Sequence, residues 1–425
     1  RLRLLFLFKG LIRDKSRSLL PIIVVAIGVM MTVFLQAYMN GVFYDSIESA
    51  ARFTSGHVKV VTNAYKENLS QMPNDYAMTG VDEIMEQLNA VHPDMEWTDR
   101  IMFGGLLDAP DSLGTTRAQG NVAGAGIHLL GTEDEIIRMD LKPKLISGRF
   151  PEKNGEVLIS NELFKKMKLQ LGDPVTLISS TMYGDMAMYN FTVCGTLHFG
   201  ISMLDKGIIY ADIEDVRMAL NMEDAAGEIL GFFKDAPYEN DRAHAVADQF
   251  NAENTDEADV FSLTMMPMSM SNGMDFMITY AENAQFIVIL IFVFAMSIVL
   301  WNAGLLGGLR RYGEFGLRLA IGENKHETYR SLVGEAVLVG LLGSVIGIAI
   351  GLFFAYLMQE HGIDAGDMIQ DSTIIMPAVC RAQINATTYY IGFIPGVLST
   401  VIGAMLAGIG IYKRQTANLF KELQA

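Results

Sequence analysis

Four long stretches of this chain contain no Asp, Glu, Lys or Arg: Leu19–Tyr44, Asn283–Leu309, Ala336–Gln359 and Ala382–Tyr412. A helix needs roughly 20 residues to cross about 30 Å of hydrocarbon, and within lipid its backbone must satisfy its own hydrogen bonds. Buried helices of water-soluble proteins seldom run so far without a charge, so each stretch predicts a transmembrane helix. The first is longer than a signal-peptide core and lacks a convincing cleavage site, so it is expected to stay attached. Composition agrees, with 51% hydrophobic residues, 19% charged residues and a mean hydropathy of +0.27.

The charges that remain are segregated by sign. Residues 1–18 carry a net +5, residues 310–330 a net +2 and residues 413–425 a net +2. Residues 45–282 hold 17 basic and 38 acidic side chains, a net −21, and residues 360–381 carry −3. Basic and acidic segments alternate, as the positive-inside rule requires of a multi-pass protein, which puts both termini and the 310–330 loop in the cytoplasm. The expected organisation is therefore an interfacial N-terminal helix (1–18), transmembrane helix 1 (19–44), a large periplasmic domain (45–282), helix 2 (283–309), a cytoplasmic loop (310–330), helix 3 (331–359), a periplasmic loop (360–381), helix 4 (382–412) and a cytoplasmic tail (413–425). In the N-terminal segment Lys9, Arg13 and Arg17 recur at helical spacing among Leu4, Leu5, Phe8, Leu11 and Ile12, which suits a helix lying in the headgroup plane or an inward extension of helix 1. The overall −16 and a pI near 4.9 argue against nucleic-acid binding.

The acidic insert reads as a mixed α/β domain. Candidate strands are 56–62, 155–160, 173–179, 190–197 and 206–212, rich in β-branched residues and bounded by Gly, Asn and Asp. Candidate helices are 81–89, 161–169, 212–221 and 240–251, with Asn161, Asp212 and Asn240 as N-caps. The glycine- and alanine-rich stretch Pro110–Gly126 reads as loop. The insert carries no G-x-S-x-G elbow, no H-E-x-x-H and no metal-spaced His/Cys cluster, so neither a catalytic nor a metal site is expected. His57, His92, His128 and His198 have no evident partners, and Asp82-Glu83 and Glu133-Asp134-Glu135 read as solvated helix starts. Cys194 and Cys380, the only cysteines, both fall on the outer side and are expected to be free thiols, a disulfide between them being the alternative. The run MMPMSMSNGM (265–274) has three readings: soft ligands for copper(I), an adaptable apolar surface for amphiphiles, or a stalk entering the lipid interface.

The most specific string is NAGLLGGLRRYGEFGLRLAIGENKHETYRSLVGEAVLVGLLGSVIGIAIG, residues 302–351. Gly343, Gly347 and Gly351 step by four along one helix face, with Gly340 starting a neighbouring row, a spacing that lets two helix backbones approach closely in lipid. Before them stand Asn302, Arg310-Arg311, Glu314-Phe315-Gly316, Arg318, Ala320, Gly322 and Glu335. This pattern resembles the core motif of the FtsX-like ABC permease family, departing from it at Glu323. Residues 155–179, 191–197 and 206–221 resemble the external core domain of that family's MacB and LolC/LolE branch. The MNG-x-x-x-D stretch at the end of helix 1 is similar to the lipoprotein-releasing members.

The resemblance implies a fold of four transmembrane helices in a 1+3 arrangement with an α/β periplasmic core domain inserted after helix 1. It implies a multi-pass protein of the bacterial inner membrane, a non-catalytic permease subunit. Its partners would be cytoplasmic ABC ATPase subunits, a second permease subunit of the same or a homologous chain, membrane lipid, and a periplasmic lipoprotein or other amphiphilic cargo. The chain has no G-x-x-x-x-G-K-[ST] and no Gly-Lys dipeptide, so ATP and Mg are expected on the partner ATPase. The 310–330 loop then becomes a coupling helix, with Glu314, Gly316, Arg318, Gly322 and His326 as the contact. Phe34, Tyr38, Met39, Phe43, Met268, Met270 and Met274 are candidates for an apolar cargo lining, ordinary lipid-facing side chains being the alternative. Efflux of drugs or peptides, and FtsX-like mechanotransmission to a periplasmic hydrolase, are the competing functions.

Overall fold

The computed structural model describes residues 15–111, 114–199, 202–256, 258–271, 274–309, 312–364 and 379–413. The expected interfacial helix falls outside these residues up to position 14, as does most of the basic tail. Two compact units emerge: a helical unit (Arg1–Tyr44, Ala281–Ile363 and Val379–Ala425) and an α/β unit (Asp45–Tyr280 with Asp364–Ala378). In chain order the main elements are α1 (Lys15–Ala50), β1 (Val58–Thr62), α2 (Val81–Val91), β2 (Met95–Pro110), β3 (Thr116–Ile127), α3 (Asp134–Arg138), β4 (Leu145–Gly148), β5 (Glu156–Ser160), α4 (Asn161–Lys166) and β6 (Pro174–Ser180). There follow β7 (Met186–Leu197), β8 (Ile208–Asp212), α5 (Ile213–Leu220), β9 (Glu228–Phe233), α6 (Asn240–Asn254), β10 (Leu263–Pro267), α7 (Met274–Leu309), α8 (Tyr312–Ala320), α9 (Lys325–His361) and α10 (Thr400–Lys413).

Three described helical stretches are long and apolar enough to cross a membrane: Leu19–Ser55, Lys325–His361 and Ala386–Ile409. Within α7 the apolar stretch Phe286–Asn302 is shorter. The fourth charge-free window departs from the regular helix expected of it. Residues 382–385 are non-helical, Ala386–Tyr389 is a 3-10 turn and Ile394–Ser399 a π turn, before α10 begins. Pro395 lies in that π turn and has no N–H to donate, so the ladder cannot run through it in α register.

In the α/β unit one sheet runs in the order β10-β1-β9-β2-β3-β8-β5-β7-β4, and β6 pairs with both β2 and β7. Strands β2, β3, β8, β5, β7 and β6 therefore close on themselves. Their inward side chains, among them Phe103, Leu107, Val122, Val157, Leu177 and Phe191, form the main apolar core. Residues 116–126, within the stretch expected as loop, instead form one strand of a long antiparallel hairpin in which Ile101 pairs with Gly126 and Leu107 with Gly120. The glycines that suggested a loop make room for neighbours: a Cβ at Gly120 would lie 2.9 Å from Leu163 Cδ1, and one at Gly126 2.9 Å from Val216 Cβ. Of the three expected N-caps only Asp212 caps, its carboxylate accepting from the Glu214 N–H at 3.1 Å. Asn161 and Asn240 are instead the first helical residues of α4 and α6, behind Ser160 and Glu239, which make no side-chain cap bond.

The polar residues of this unit are far better partnered than their isolation in the sequence suggested. Glu135, expected at a solvated helix start, is buried with Arg100, whose Nη2 stands 2.7 Å from its Oε2; the two side chains are 1% and 2% exposed. Arg138 adds a second contact to Glu135. His128 Nε2 lies 2.7 Å from Asp99 Oδ1, and Arg217 Nη2 is 2.7 Å from the other carboxylate oxygen. Burial works to raise the Asp99 pKa, but the His128 hydrogen bond and the Arg217 charge outweigh it and hold it below the usual range; the same hydrogen bond raises His128. His198 pairs with Asp205 at 3.2 Å, and His92 is buried beside Trp97. Neither Cys194 nor Cys380 is in a disulfide, and burial pushes the Cys194 thiol up to about 12.

Candidate functional site

The helical unit is assembled through its glycines. A Cβ added at Gly343 would sit 2.6 Å from Val25 Cγ1, one at Gly347 2.5 Å from the Ala26 carbonyl oxygen, and one at Gly351 2.9 Å from Val33 Cβ. The i+4 row of α9 thus lies directly against α1, whose Val25, Val29 and Val33 form the unit's small apolar core with Leu300, Val339 and Ile348. Gly340 faces another way, toward Thr400 and the Gly396 carbonyl oxygen. Gly28 on α1 receives Met296 and Leu300 of α7, and Gly403 on α10 lies against the Trp301 carbonyl oxygen of α7. Apolar side chains gain little from meeting one another in lipid, so this closeness of backbones supplies much of the cohesion.

A second feature of α1 is a polar row that matches no sequence motif. Thr32, Gln36 and Asn40, spaced by four, are all buried. Thr32 Oγ1 donates to the Gly28 carbonyl oxygen at 2.9 Å and Gln36 Nε2 to Asn40 Oδ1 at 3.2 Å. Asn40 Nδ2 in turn donates to the Gln383 carbonyl oxygen at 3.4 Å, and the Gln383 N–H donates to the Ala37 carbonyl oxygen at 2.8 Å. Non-helical backbone inside an apolar helical assembly needs such partners, and α1 supplies them just where the chain precedes the irregular segment 382–399. The four-residue spacing was the available signal.

Between α7 and α9 the chain makes a compact corner. In α8 Phe315 is buried against Leu332 of α9 and Ala404 of α10. Gly316 is buried, Glu314 and Arg318 are half-buried, and Arg318 Nη1 reaches Ser331 Oγ at 3.5 Å. Gly322 turns the chain with φ +102°, a conformation that favours glycine, and α9 begins three residues later. His326 therefore lies in the first turn of the long helix, and Leu317 and Ile321 are exposed. The structure brings Glu314, Gly316, Arg318, Gly322 and His326 onto one short helix–turn–helix corner.

The proposed lining residues divide between the two units. Phe34, Tyr38, Met39 and Phe43 are half-buried on α1. Met265, Met266 and Met268 belong to the folded core of the α/β unit, as strand β10 and the turn after it, and enter three separate apolar clusters. Pairing of β10 with β1 buries Met265 and Met266, and Met268 is buried in the turn that follows, so these three form neither an exposed stalk nor an exposed amphiphile surface. Met270 is exposed, and the side chain of Met274 lies outside the described residues. Among the described residues no three of His, Cys, Asp or Glu converge as metal ligands.

Residues 286–416 match the FtsX-like permease C-terminal family. This part of the chain is thus similar to an FtsX-like permease domain. Its glycine row, corner and irregular last helix all fall inside the match. The chain is also similar to proteins named macrolide export ATP-binding/permease protein MacB: 32% identical over 95 residues in Psychrobacter cryohalolentis, 33% over 95 residues in Psychrobacter arcticus and 30% over 101 residues in Bordetella avium. Each alignment covers 22–24% of this chain and only 14–15% of the relative. Among solved structures, the periplasmic region of MacB from Actinobacillus actinomycetemcomitans is similar at 12% identity and a TM-score of 0.31, covering 50% of this chain and 89% of that one.

Proposed function

We propose that this permease domain works with a separate cytoplasmic ATPase and converts its ATP cycle into motion of the α/β unit, which extracts a lipoprotein or another amphiphile from the inner membrane. The observation that carries this reading is the corner Glu314–His326. Phe315 anchors it to two other helices while Leu317 and Ile321 point outward, as a rigid element that docks into a partner should. Both termini and this corner are cytoplasmic in the reading, because the basic segments cluster there. A second permease subunit, the same chain or a homologue, completes the complex. Export of a smaller amphiphile is the second reading, favoured by relatives named for macrolide export.

The test is a charge reversal. Glu314→Lys in the ATPase complex should leave membrane insertion intact and lower cargo release per ATP by on the order of tenfold, the size expected when one charged partner of an interface is lost. Normal release by that variant removes the corner from the coupling site. Mass spectrometry of what co-purifies on the external side separates the cargo readings: a triacylated protein supports lipoprotein extraction, and an outer-membrane channel supports export.

A further inference from the structure

We infer that the pair formed by half-buried Glu48 and buried His57 is the joint by which the end of α1 is fixed in the α/β unit, and that His57 is the positioning residue through which displacement of α1 reaches the sheet. This rests on the coupling proposed above. It starts from an irregularity: α1 gives way at Ala51–Ser55 to a π turn closed by Gly56 at φ +61°. Single π turns inside or at the end of helices recur at functional positions because they are costly to keep.

The end of α1 is held in place at several points, each within the α/β unit. Ala50 and Ala51 pack with Leu230, Phe232 and Met268. His57, 1% exposed, accepts the Phe233 N–H at its Nδ1 at 3.1 Å. That bond places the ring proton on Nε2, which stands 3.2 Å from Glu48 Oε2. One imidazole therefore ties a carboxylate of α1 to the backbone of strand β9. The ring is walled by Phe232, Phe233 and Tyr238, with centroids 5.1–5.9 Å away. Helix ends leave carbonyls without intrahelical partners, and here charged side chains from the strands take them. Lys59 Nζ donates to the Thr54 carbonyl oxygen at 2.9 Å while pairing with Glu228 at 2.9 Å. Arg100 Nη1 reaches the Phe53 carbonyl oxygen at 3.4 Å.

Apolar packing alone tolerates sliding, whereas hydrogen bonds fix distance and angle. The Glu48–His57–Phe233 chain therefore sets the angle at which the last residues of α1, Asp45–Ala50, meet β9, and Lys59 and Arg100 stop the turn after it from unwinding. The two ring nitrogens of His57 thus bridge two elements, one facing Glu48 of α1 and the other the Phe233 N–H of β9.

The experiment uses the full chain with its cognate ATPase in nanodiscs and reads hydrogen exchange across residues 228–238 with and without ATP. Wild type should show an ATP-dependent change. Glu48→Ala and His57→Leu should lose it by on the order of tenfold while ATP hydrolysis continues, as expected when a buried hydrogen bond to a charged group is removed. Glu48→Gln keeps the shape, folds where the truncations do not, and should lose about half of the change; Glu214→Gln, an exposed control, should lose none. A wild-type response in Glu48→Gln, or a lower melting temperature with the exchange response intact, overturns the joint. No ATP-dependent change in wild type sinks the coupling reading itself, and the role of His57 with it.

Discussion

The two units of this chain are held together by opposite means. In the helical unit the decisive contacts are places where a side chain is missing, as at Gly343, Gly347 and Gly351, which admit Val25, the Ala26 carbonyl oxygen and Val33. In the α/β unit the corresponding places hold full charges: Arg100 with Glu135, Lys59 with Glu228, and Asp99 with His128 and Arg217. The difference follows from the solvent each unit faces. Lipid offers helices no hydrophobic drive toward one another, so cohesion comes from close backbone packing, and an unpaired charge would be very costly. Water supplies the hydrophobic drive to the sheet, which can then tolerate buried ions provided every one is paired.

The largest effect expected from breaking this contrast is in the α/β unit. Glu135→Ala leaves Arg100 and Arg138 without their shared carboxylate and should cost about 3–5 kcal/mol. Replacing Arg100 and Glu135 together by Met and Leu should cost less than half of that, because no charge is then left buried alone. Conveniently, the two tryptophans divide between the units, Trp97 on β2 and Trp301 on α7. Urea unfolding followed by Trp97 in a Trp301→Phe background measures the cost, and equal losses for the single and double variants would show that packing rather than charge pairing matters there.

The mirror experiment adds one methyl group in the helical unit. A Cβ at Gly347 meets backbone rather than a flexible side chain, so Gly347→Ala should cost about 1–3 kcal/mol and loosen α1 from α9. Gly104→Ala on β2 has no heavy atom within 4 Å of the new Cβ and should be neutral or slightly stabilising. Thermal unfolding in nanodiscs, read from Trp301 for the first variant and Trp97 for the second, checks both. If Gly347→Ala melts at the wild-type temperature, the glycine row is not a close-packing seam.

How much of this was legible in the chain divides along the same line. A lipid-spanning helix is a one-dimensional constraint, so the charge-free windows and the i+4 glycines could be read directly. Glu314 to Gly322 were legible by motif for the same reason, since the corner is local. The α/β unit was legible in its strands but not in its connections. Nothing near Glu135 announces Arg100, 35 residues away, and nothing near Asp99 announces Arg217 at a separation of 118. The 110–126 hairpin was misread because its glycines answer Leu163 and Val216 from other elements, and spacing along one strand cannot show that. The methionines at 265–268 were misread because β10 is buried by β1, a partner some 200 residues earlier. Thr32, Gln36 and Asn40 were readable in principle: polar residues four apart inside an apolar helix need partners, which here are the Gly28 carbonyl oxygen, Asn40 itself and, for Asn40, the backbone at Gln383.

The smallest effect separates the units by pH. Glu156 is held by Arg149 through two short bonds, 2.7 and 2.6 Å, and that hydrogen bonding lowers its pKa to about 2. A carboxylate with a depressed folded-state pKa contributes stability that is fully present above its ordinary value of 4.5 and is lost as pH falls toward about 2. Arg149 is 45% exposed, so water screens the pair and its contribution should be small. Glu156→Gln should remove that contribution at neutral pH and flatten the stability profile between about pH 5 and 2. The charge-free windows of the helical unit contain no carboxylate to protonate. On acidification the Trp97 signal should therefore change before the Trp301 signal, and Glu156→Gln should narrow the gap between them. Coincident transitions in wild type would mean that the two units, for all their different construction, unfold as one.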